Sequence, residues 1–246
     1  MSLLQKYVRA LLLEAGADQR TSPKVIFMAG GPASGKSTVI KKLGLANEMT
    51  VVNPDDAYEA ALKSAGLPLD RTQIVIDYRE IKKKYMTAKE SGDARTVKSL
   101  EPEYLRLRSI MSQNMKLFSQ ARNQAKELKA DLAKSLSNIL VDGTGGNYHE
   151  ILKQVDEMYG LNYNIGMIYL DVPLEVSLDR NLGRAARGGR SVDEADIVRS
   201  WNAVNKNLEK YRQLFSSNFF YIDASEKGFD RSIRQVRPRI SKFLAS

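Results

Sequence analysis

The sequence has 246 residues and contains no cysteine, one histidine and one tryptophan. Without cysteine the chain forms neither a disulfide framework nor a thiolate metal site. The single histidine, His149, excludes a metal site built on two histidines. No apolar run approaches the roughly 20 residues that a membrane-spanning helix requires. We therefore expect a protein of the reducing cytoplasm that has no membrane partner.

Acidic residues are also fewer than basic ones, 29 against 38, which leaves a formal net charge of +9. Such an excess favours polyanionic partners, either nucleic acid or several phosphate groups bound in one site. Hydrophobic residues make up 43% of the chain, enough for a sizeable core. Length and composition together predict one α/β domain, with room for a helical insertion.

The most informative stretch is GGPASGKST at 30–38, which fulfils the pattern G-x-x-x-x-G-K-[ST]. It follows an apolar run at 24–29 that predicts a buried strand, and it precedes a helix-compatible stretch at 38–43. Glycines let successive backbone N–H groups converge on one anion, and the helix that begins there adds its positive dipole end. The pattern therefore predicts a nucleoside triphosphate site, formed by Gly30, Gly31, Pro32, Ala33, Ser34, Gly35, Lys36, Ser37 and Thr38. Within it, Lys36 is expected to reach the β- and γ-phosphates, and the Ser37 hydroxyl to ligate Mg²⁺.

Two further apolar runs end on acidic residues. The run at 49–52 leads into Asp55 and Asp56, and the run at 139–141 leads into Asp142. Acids at the carboxyl ends of parallel strands lie on the ligand side of an open α/β sheet. We predict that Asp55 serves the chemistry as a base or magnesium-shell ligand, and that Asp56 caps a helix beginning near Ala57. Asp142 is predicted to hold Mg²⁺ or its water, or to orient the acceptor, although the glycine-rich sequence after it also suits a plain turn.

The strand pattern disappears between 70 and 136, where apolar residues recur every three or four positions. This spacing predicts a helical insertion: one helix at 73–89, then one or two amphipathic helices opened by Glu101 and Pro102. Between Arg79 and Lys98 there are seven basic residues and three acidic ones. They form either a solvated helix face or a basic wall beside the acceptor site, and the sequence favours neither.

Arginines are concentrated after the fourth predicted strand, at 164–172. Arg180, Arg184 and Arg187 share one face of the following helix, and Arg190 comes after two glycines. Because arginine binds phosphate oxygens with planar, charge-assisted contacts, we predict a lid that closes over the transferring phosphate. The alternative is a solvated basic helix end. A continuous helix up to Phe215 with Trp201 in the core, a fifth strand at 219–222 and a helix at 229–244 complete the prediction.

The predicted organisation is a single domain over 1–246. It comprises an N-terminal helix at 1–20, the helical insertion at 70–136 and the arginine-rich lid at 180–195.

The motifs GGPASGKST, VVNPDD, LVDGTGGN and LDVPLEVSLDRNLGR together resemble the kinase module of phage polynucleotide kinases and the zeta-toxin group of P-loop kinases. The resemblance covers most of 24–225 apart from the insertion. It implies a three-layer α/β sandwich whose five-stranded parallel sheet has the order 2-3-1-4-5, with ATP and Mg²⁺ as cofactors. By the same resemblance, Asp55 accepts the proton of the substrate hydroxyl, Arg180 and Arg184 stabilise the phosphoryl group, and Asp142 and Thr144 position the acceptor.

The two groups in this resemblance, polynucleotide kinases and zeta toxins, imply different acceptors. Tyr58 stands where polynucleotide kinases carry an arginine for the acceptor phosphate, and the long insertion is more like that of the zeta toxins. The net charge favours nucleic acid, above all DNA, with a 5′-hydroxyl end or a hydroxymethylated base as acceptor. Whichever the acceptor is, Arg190 is expected to contact it and Arg187 to contact the nucleotide. A phage enzyme of this kind would act in the cytoplasm of its host. The alternatives are a kinase of a nucleotide sugar such as UDP-N-acetylglucosamine and a non-catalytic nucleotide-dependent switch.

Overall fold

The computed structural model describes residues 22–246, and the predicted N-terminal helix lies outside this range. Within it, all β-strands join one parallel sheet in the order β2-β3-β1-β4-β5. The strands are β1 (Lys24–Ala29), β2 (Thr50–Val52), β3 (Ile139–Asp142), β4 (Asn164–Asp171) and β5 (Phe219–Asp223). The predicted α/β fold with the strand order 2-3-1-4-5 is confirmed.

Helices connect these strands and cover both faces of the sheet. In chain order they are α1 (Lys36–Leu43), α2 (Leu45–Glu48), α3 (Pro54–Ser64), α4 (Thr72–Glu90), α5 (Ala94–Lys134), α6 (Tyr148–Gly160), α7 (Leu174–Ala186), α8 (Glu194–Asn205), α9 (Leu208–Phe215) and α10 (Phe229–Ala245). In this part of the chain, no helix combines the length and the apolarity needed to cross a membrane.

The central strand β1 is buried along its whole length, which explains its unbroken apolar sequence. Its side chains alternate between two cores. Phe27 packs on one face with residues of α6, α8 and α9, while Ile26 and Met28 pack on the other with residues of α1 and α10. The result is a three-layer sandwich in which β1 delivers its carboxyl end, and the loop after it, to the edge where the candidate site lies.

The predicted insertion consists of α4 and α5, which pack against each other. Helix α5 has 41 residues and is therefore about 60 Å long. The prediction that it opens at Glu101 and Pro102 was wrong, since it begins at Ala94. Asp93 caps it by accepting a 3.0 Å hydrogen bond from the Thr96 amide, and Pro102 lies inside the helix. Its apolar stripe is covered only in part: Tyr104, Leu107 and Ala121 are buried, whereas Met115, Phe118 and Leu128 are exposed.

The stretch predicted as one helix up to Phe215 is divided into α8 and α9 at Asn207. The Asn207 side chain is drawn toward the loop after β3, where it donates to the carbonyl of Gly146 at 2.9 Å. Trp201 on α8 is partly buried against the α1–α10 side of the core, and its indole N–H donates to the carbonyl of Val172 at 2.7 Å.

Candidate active site

The loop between β1 and α1 has the tight backbone that its glycines predict. Gly35, immediately before α1, has a φ of 97°, which disfavours other residues. At Gly30 a Cβ atom would lie 2.7 Å from the hydroxyl oxygen of Ser34, so the loop leaves no space for a side chain there. The Gly30 amide also donates a 2.9 Å hydrogen bond to the carbonyl of Thr144, which ties this loop to the one after β3.

Lys36, the first residue of α1, folds back onto the loop. Its ammonium donates to the carbonyls of Gly30 at 3.0 Å and Gly31 at 3.3 Å. Burial lowers the pKa of Lys36, and the carboxylates of Asp142 and Asp55 act in the opposite direction. A phosphate group entering the loop would therefore find a positive charge already enclosed and held at this position.

Asp142 ends β3 and is buried. Its Oδ2 accepts a 3.1 Å hydrogen bond from the Nδ2 of Asn53, while its Oδ1 is enclosed and has no partner among the described residues. Burial raises the pKa of the Asp142 carboxyl, and the nearby Lys36 ammonium counteracts part of that rise. An enclosed carboxylate oxygen without a donor is a position at which a cation would be stabilised.

The prediction that Asp56 caps the helix after β2 was wrong. Helix α3 begins at Pro54, and Asn53 is its cap, accepting a 2.8 Å hydrogen bond from the Asp55 amide. Asp56 lies exposed in the first turn. Asn53 thus caps α3 and also donates a hydrogen bond to Asp142. The two aspartates that follow Asn53 are also good capping residues, but asparagine followed by proline is a pattern typical of a helix start.

Asp55 faces the segment that follows α7. One of its carboxylate oxygens accepts a 3.0 Å hydrogen bond from Arg190, whose Nε also lies 3.7 Å from Glu59 on the next turn of α3. Arg190 is mostly enclosed, whereas the Asp55 side chain is 49% exposed, so solvent screens this ion pair in part. The structure therefore joins a residue of the predicted lid to the predicted base.

The other predicted lid arginines have separate contacts. Arg180 donates to the carbonyls of Ser34 at 3.3 Å and Ala224 at 3.0 Å, so it links the glycine-rich loop to the end of β5. Arg184 donates to the carbonyl of Arg190 at 3.3 Å. Arg187 does not continue the helical face, because α7 ends at Ala186 and Arg187 follows as an exposed C-cap.

A hydrogen bond from α9 holds the loop after β3 in place. The hydroxyl of Tyr211 donates to the carbonyl of Gly145 at 2.6 Å, and Gly145 itself has a φ of 71°. Thr144 contributes its carbonyl to the contact with Gly30, while its side chain is exposed. This support from α9, which no local sequence pattern indicates, keeps the predicted acceptor-positioning segment against the glycine-rich loop.

One cleft of about 950 Å³ brings most of the predicted site residues together. The predicted residues that line it are Pro32, Ala33, Ser34, Gly35, Lys36, Ser37, Thr38, Asp55, Asp142, Thr144, Arg180, Arg184, Arg187 and Arg190. Gly30 and Gly31 do not line it, but their carbonyls bind Lys36. The cleft continues past Asp55 to side chains in and near α3, α4 and α5, such as Tyr58, Arg71 and Phe118. These side chains belong to none of the predicted site motifs.

The cleft also has a place suited to magnesium. Among the described residues no group of three or more His, Cys, Asp and Glu residues is arranged to hold a metal. Ser37 and Asp142 line the same cleft, however, and Asp142 carries the enclosed, unpartnered oxygen. Because Mg²⁺ is commonly held by one or two protein oxygens together with substrate phosphates and waters, this pair fits the ion.

Comparison with known proteins agrees with this fold. Residues 25–207 match the model of the family described as an AAA domain, AAA_33. The chain belongs to this AAA domain family. A search among curated proteins returned no match.

Solved structures extend the likeness over nearly the whole chain. A putative kinase from Chloroflexus aurantiacus J-10-fl has a TM-score of 0.52 at 13% identity, covering 90% of this chain and 97% of that one. The structure of the PezAT chromosomal toxin-antitoxin system of Streptococcus pneumoniae gives a TM-score of 0.52 at 15% identity, with 98% and 96% covered. The AvrRxo1-ORF1:-ORF2 complex with ATP gives a TM-score of 0.58 at 16% identity, with 88% of this chain and 58% of that chain covered. At such identities the likeness is one of fold, and this AAA domain protein shares the fold of these structures, a putative kinase among them.

Proposed function

We propose that the protein is an ATP-dependent phosphotransferase that moves the γ-phosphate of ATP to a hydroxyl group of an acceptor. The observation that supports this most strongly is the single cleft that joins the glycine-rich loop, with Lys36, to the carboxylate of Asp55 and to the arginines after α7. A phosphoryl-transfer site needs a phosphate cradle, positive charge around the transferring group and a carboxylate near the nucleophile.

In the proposed reaction, the acceptor hydroxyl gives its proton to Asp55 as its oxygen forms a bond to the γ-phosphorus. The bond between that phosphorus and the β–γ bridging oxygen breaks, and ADP leaves. Lys36 and Arg184 offset the charge on the phosphoryl oxygens, and Arg180 holds the loop in place. Bound Mg²⁺, held by Ser37 and Asp142, would neutralise phosphate charge. In this structure Arg190 donates a hydrogen bond to the Asp55 carboxylate. This bond must break before Asp55 can accept a proton, and the Arg190 guanidinium is then available to bind the phosphates.

Two kinds of acceptor remain candidates. The net charge of +9 favours nucleic acid, and DNA in particular. Some of the charge on the insertion is paired locally, however: Lys84 with Glu80, Arg106 with Glu103 and Lys134 with Asp131. The volume of about 950 Å³ for the whole cleft is in the range of small-molecule sites. This volume favours the second candidate, a compact acceptor such as a nucleotide sugar.

Transfer of labelled γ-phosphate tests the proposal. The protein is incubated with Mg²⁺, labelled ATP and, separately, 5′-hydroxyl DNA, 5′-hydroxyl RNA, duplex DNA containing hydroxymethyluracil, and UDP-N-acetylglucosamine. We expect label on at least one acceptor, and its identity assigns the class. ATP binding with slow hydrolysis and no labelled acceptor, even in a wider panel of hydroxyl compounds, would contradict the proposal and indicate a nucleotide-dependent switch.

A further inference from the structure

The half of the cleft farthest from the glycine-rich loop is built by α3, α4 and α5. Its lining includes Tyr58, Arg71, Met111, Asn114 and Phe118. None of these residues belongs to a nucleotide-binding motif, yet they lie in the same cleft as Asp55. In a kinase, this is the region where the acceptor must be held while its hydroxyl is presented to the nucleotide.

Tyr58 lines this half of the cleft and is held in place by its neighbours. Its side chain is buried, and its hydroxyl donates to the Oδ1 of Asn114 at 3.4 Å. Asn114 is anchored in turn by donating to the carbonyl of Ile110 at 2.9 Å. The ring of Phe118 meets the Tyr58 ring edge-on at 5.2 Å between centroids. The aromatic face of Tyr58 is therefore fixed by contacts from α5.

Two guanidinium groups lie over that ring, Arg71 at 5.3 Å and Arg190 at 5.7 Å from its centroid. Their surroundings differ. Arg190 has two carboxylates near it, those of Asp55 and Glu59. Arg71 forms no ion pair within the part of the chain that the structure describes, and its Nε, like that of Arg190, is enclosed without a hydrogen-bond acceptor. Stacking on an aromatic ring positions a guanidinium and compensates part of its charge, but it does not satisfy its N–H groups.

The enclosed Nε of the partly buried Arg71 has an unused donor, which costs free energy in the unliganded protein. A ligand with an oxyanion would remove that cost and would gain two directed hydrogen bonds from the guanidinium fork. The site is also held to the segment carrying Arg190. Ser191, next to Arg190, hydrogen-bonds both Asp70 and Thr72, the two neighbours of Arg71.

From this arrangement we infer that Arg71 binds an oxyanion of the acceptor, a phosphate or a carboxylate, in the acceptor half of the cleft. The inference rests on the proposed function, since it assigns the second substrate of the same site. The acceptor would then carry two recognised groups, the hydroxyl presented to Asp55 and an anionic group bound by Arg71. The neighbouring apolar side chains, Met111 and Phe118, would contact whatever joins the two.

Binding of inorganic phosphate to protein saturated with Mg²⁺ and a non-hydrolysable ATP analogue tests this subsite, because the nucleotide fills the glycine-rich loop. Calorimetry is run on the wild type, Arg71→Gln, Arg71→Lys and the control Arg106→Gln, a change at an exposed arginine of α5. We expect one phosphate site in the wild type and in Arg106→Gln, about 10- to 100-fold weaker binding in Arg71→Gln, and an intermediate loss in Arg71→Lys. Wild-type protein that binds no phosphate, or Arg71→Gln that binds it unchanged, would overturn the inference.

The same series separates this inference from the proposed function. Failure to bind the ATP analogue at all would count against the kinase proposal, whereas normal analogue binding without a phosphate site would count only against Arg71. Thermal unfolding of each variant shows whether Arg71 is merely structural: a lowered melting temperature with unchanged phosphate binding would also overturn the inference.

Transfer assays then distinguish the source of the anion. Arg71→Gln should raise KM about 10- to 100-fold for an acceptor that carries a phosphate or carboxylate, with little effect on an uncharged analogue. Label on small phosphorylated or carboxylated compounds assigns a small acceptor, and label only on 5′-hydroxyl oligonucleotides assigns a backbone phosphate to Arg71. Equal KM changes for charged and uncharged acceptors would contradict the assignment.

Discussion

The guanidinium of Arg190 donates a 3.0 Å hydrogen bond to the carboxylate of Asp55, across the mouth of the cleft. The contact joins the segment after α7 to the first turn of α3. The hydrogen bond uses part of the acceptor capacity of the Asp55 carboxylate. In the proposed reaction, Asp55 would accept a proton only after Arg190 moves, and a triphosphate bound in the adjoining loop would supply a competing anion for Arg190. Nucleotide binding and release of the base are coupled in this account.

Lys36 should matter for nucleotide binding far more than other lysines of the same helix. We expect Lys36→Met to weaken ATP binding by about 10- to 100-fold, because it removes a charged partner of the phosphates. The control is Lys41→Met, at an exposed position of α1. Titration with a fluorescent ATP analogue measures both variants. Equal affinities for the two would show that the glycine-rich loop does not bind the triphosphate as described.

Asp142 should give the protein a recognisable dependence of stability on pH. Its burial raises the carboxyl pKa above the ordinary value of 3.8. A group with a raised pKa in the folded state contributes stability that is present at low pH and is lost as pH rises through the folded-state pKa. Asp142→Asn removes this titration, so the variant should gain stability relative to the wild type as pH rises above about 4.

Urea denaturation at a series of pH values, without nucleotide or Mg²⁺, measures that difference. The variant Asp156→Asn, at an exposed position of α6, serves as the control and should run parallel to the wild type. A difference between Asp142→Asn and the wild type that stays constant with pH would contradict the assignment.

Gly145 should be far less tolerant of a side chain than another glycine of similar backbone conformation. At Gly145, with a φ of 71°, a Cβ atom would lie 2.6 Å from the Cβ of Ala29. At Gly92, with a φ of 75°, nothing lies within 4 Å. We expect Gly145→Ala to lower the free energy of unfolding by about 2–4 kcal/mol and Gly92→Ala by about 1 kcal/mol. Chemical denaturation measures both, and equal losses would show that the loop after β3 is not packed against β1 as described.

The sequence was sufficient for the nucleotide half of the cleft, because β1, the glycine-rich loop and α1 are consecutive and each has a strong local pattern. The strand order came only from the resemblance, since nothing local states which strands are neighbours. The start of α5 could have been predicted from Asp93, whose capping of Thr96 outweighs the breaking effect of Pro102.

The acceptor half could not be predicted in the same way. Tyr58 lies in α3 and Arg71 immediately precedes α4, so their contact depends on how these two parts of the chain pack. The hold of Tyr211 on Gly145 is likewise a contact between distant parts of the chain. Periodicity identifies the buried face of a helix, but it does not identify the residue that will meet it.

The most direct test of the account is phosphoryl transfer by Asp55→Asn, measured together with ATP binding. Asparagine keeps the size of the side chain but cannot accept the proton, so we expect transfer to fall by about 100- to 10,000-fold while ATP binding is retained. The matched variant Asp56→Asn, one residue along the first turn of α3, should transfer at the wild-type rate. Full activity in Asp55→Asn would contradict its role as the base, and loss of ATP binding together with transfer would assign Asp55 to the metal or nucleotide instead.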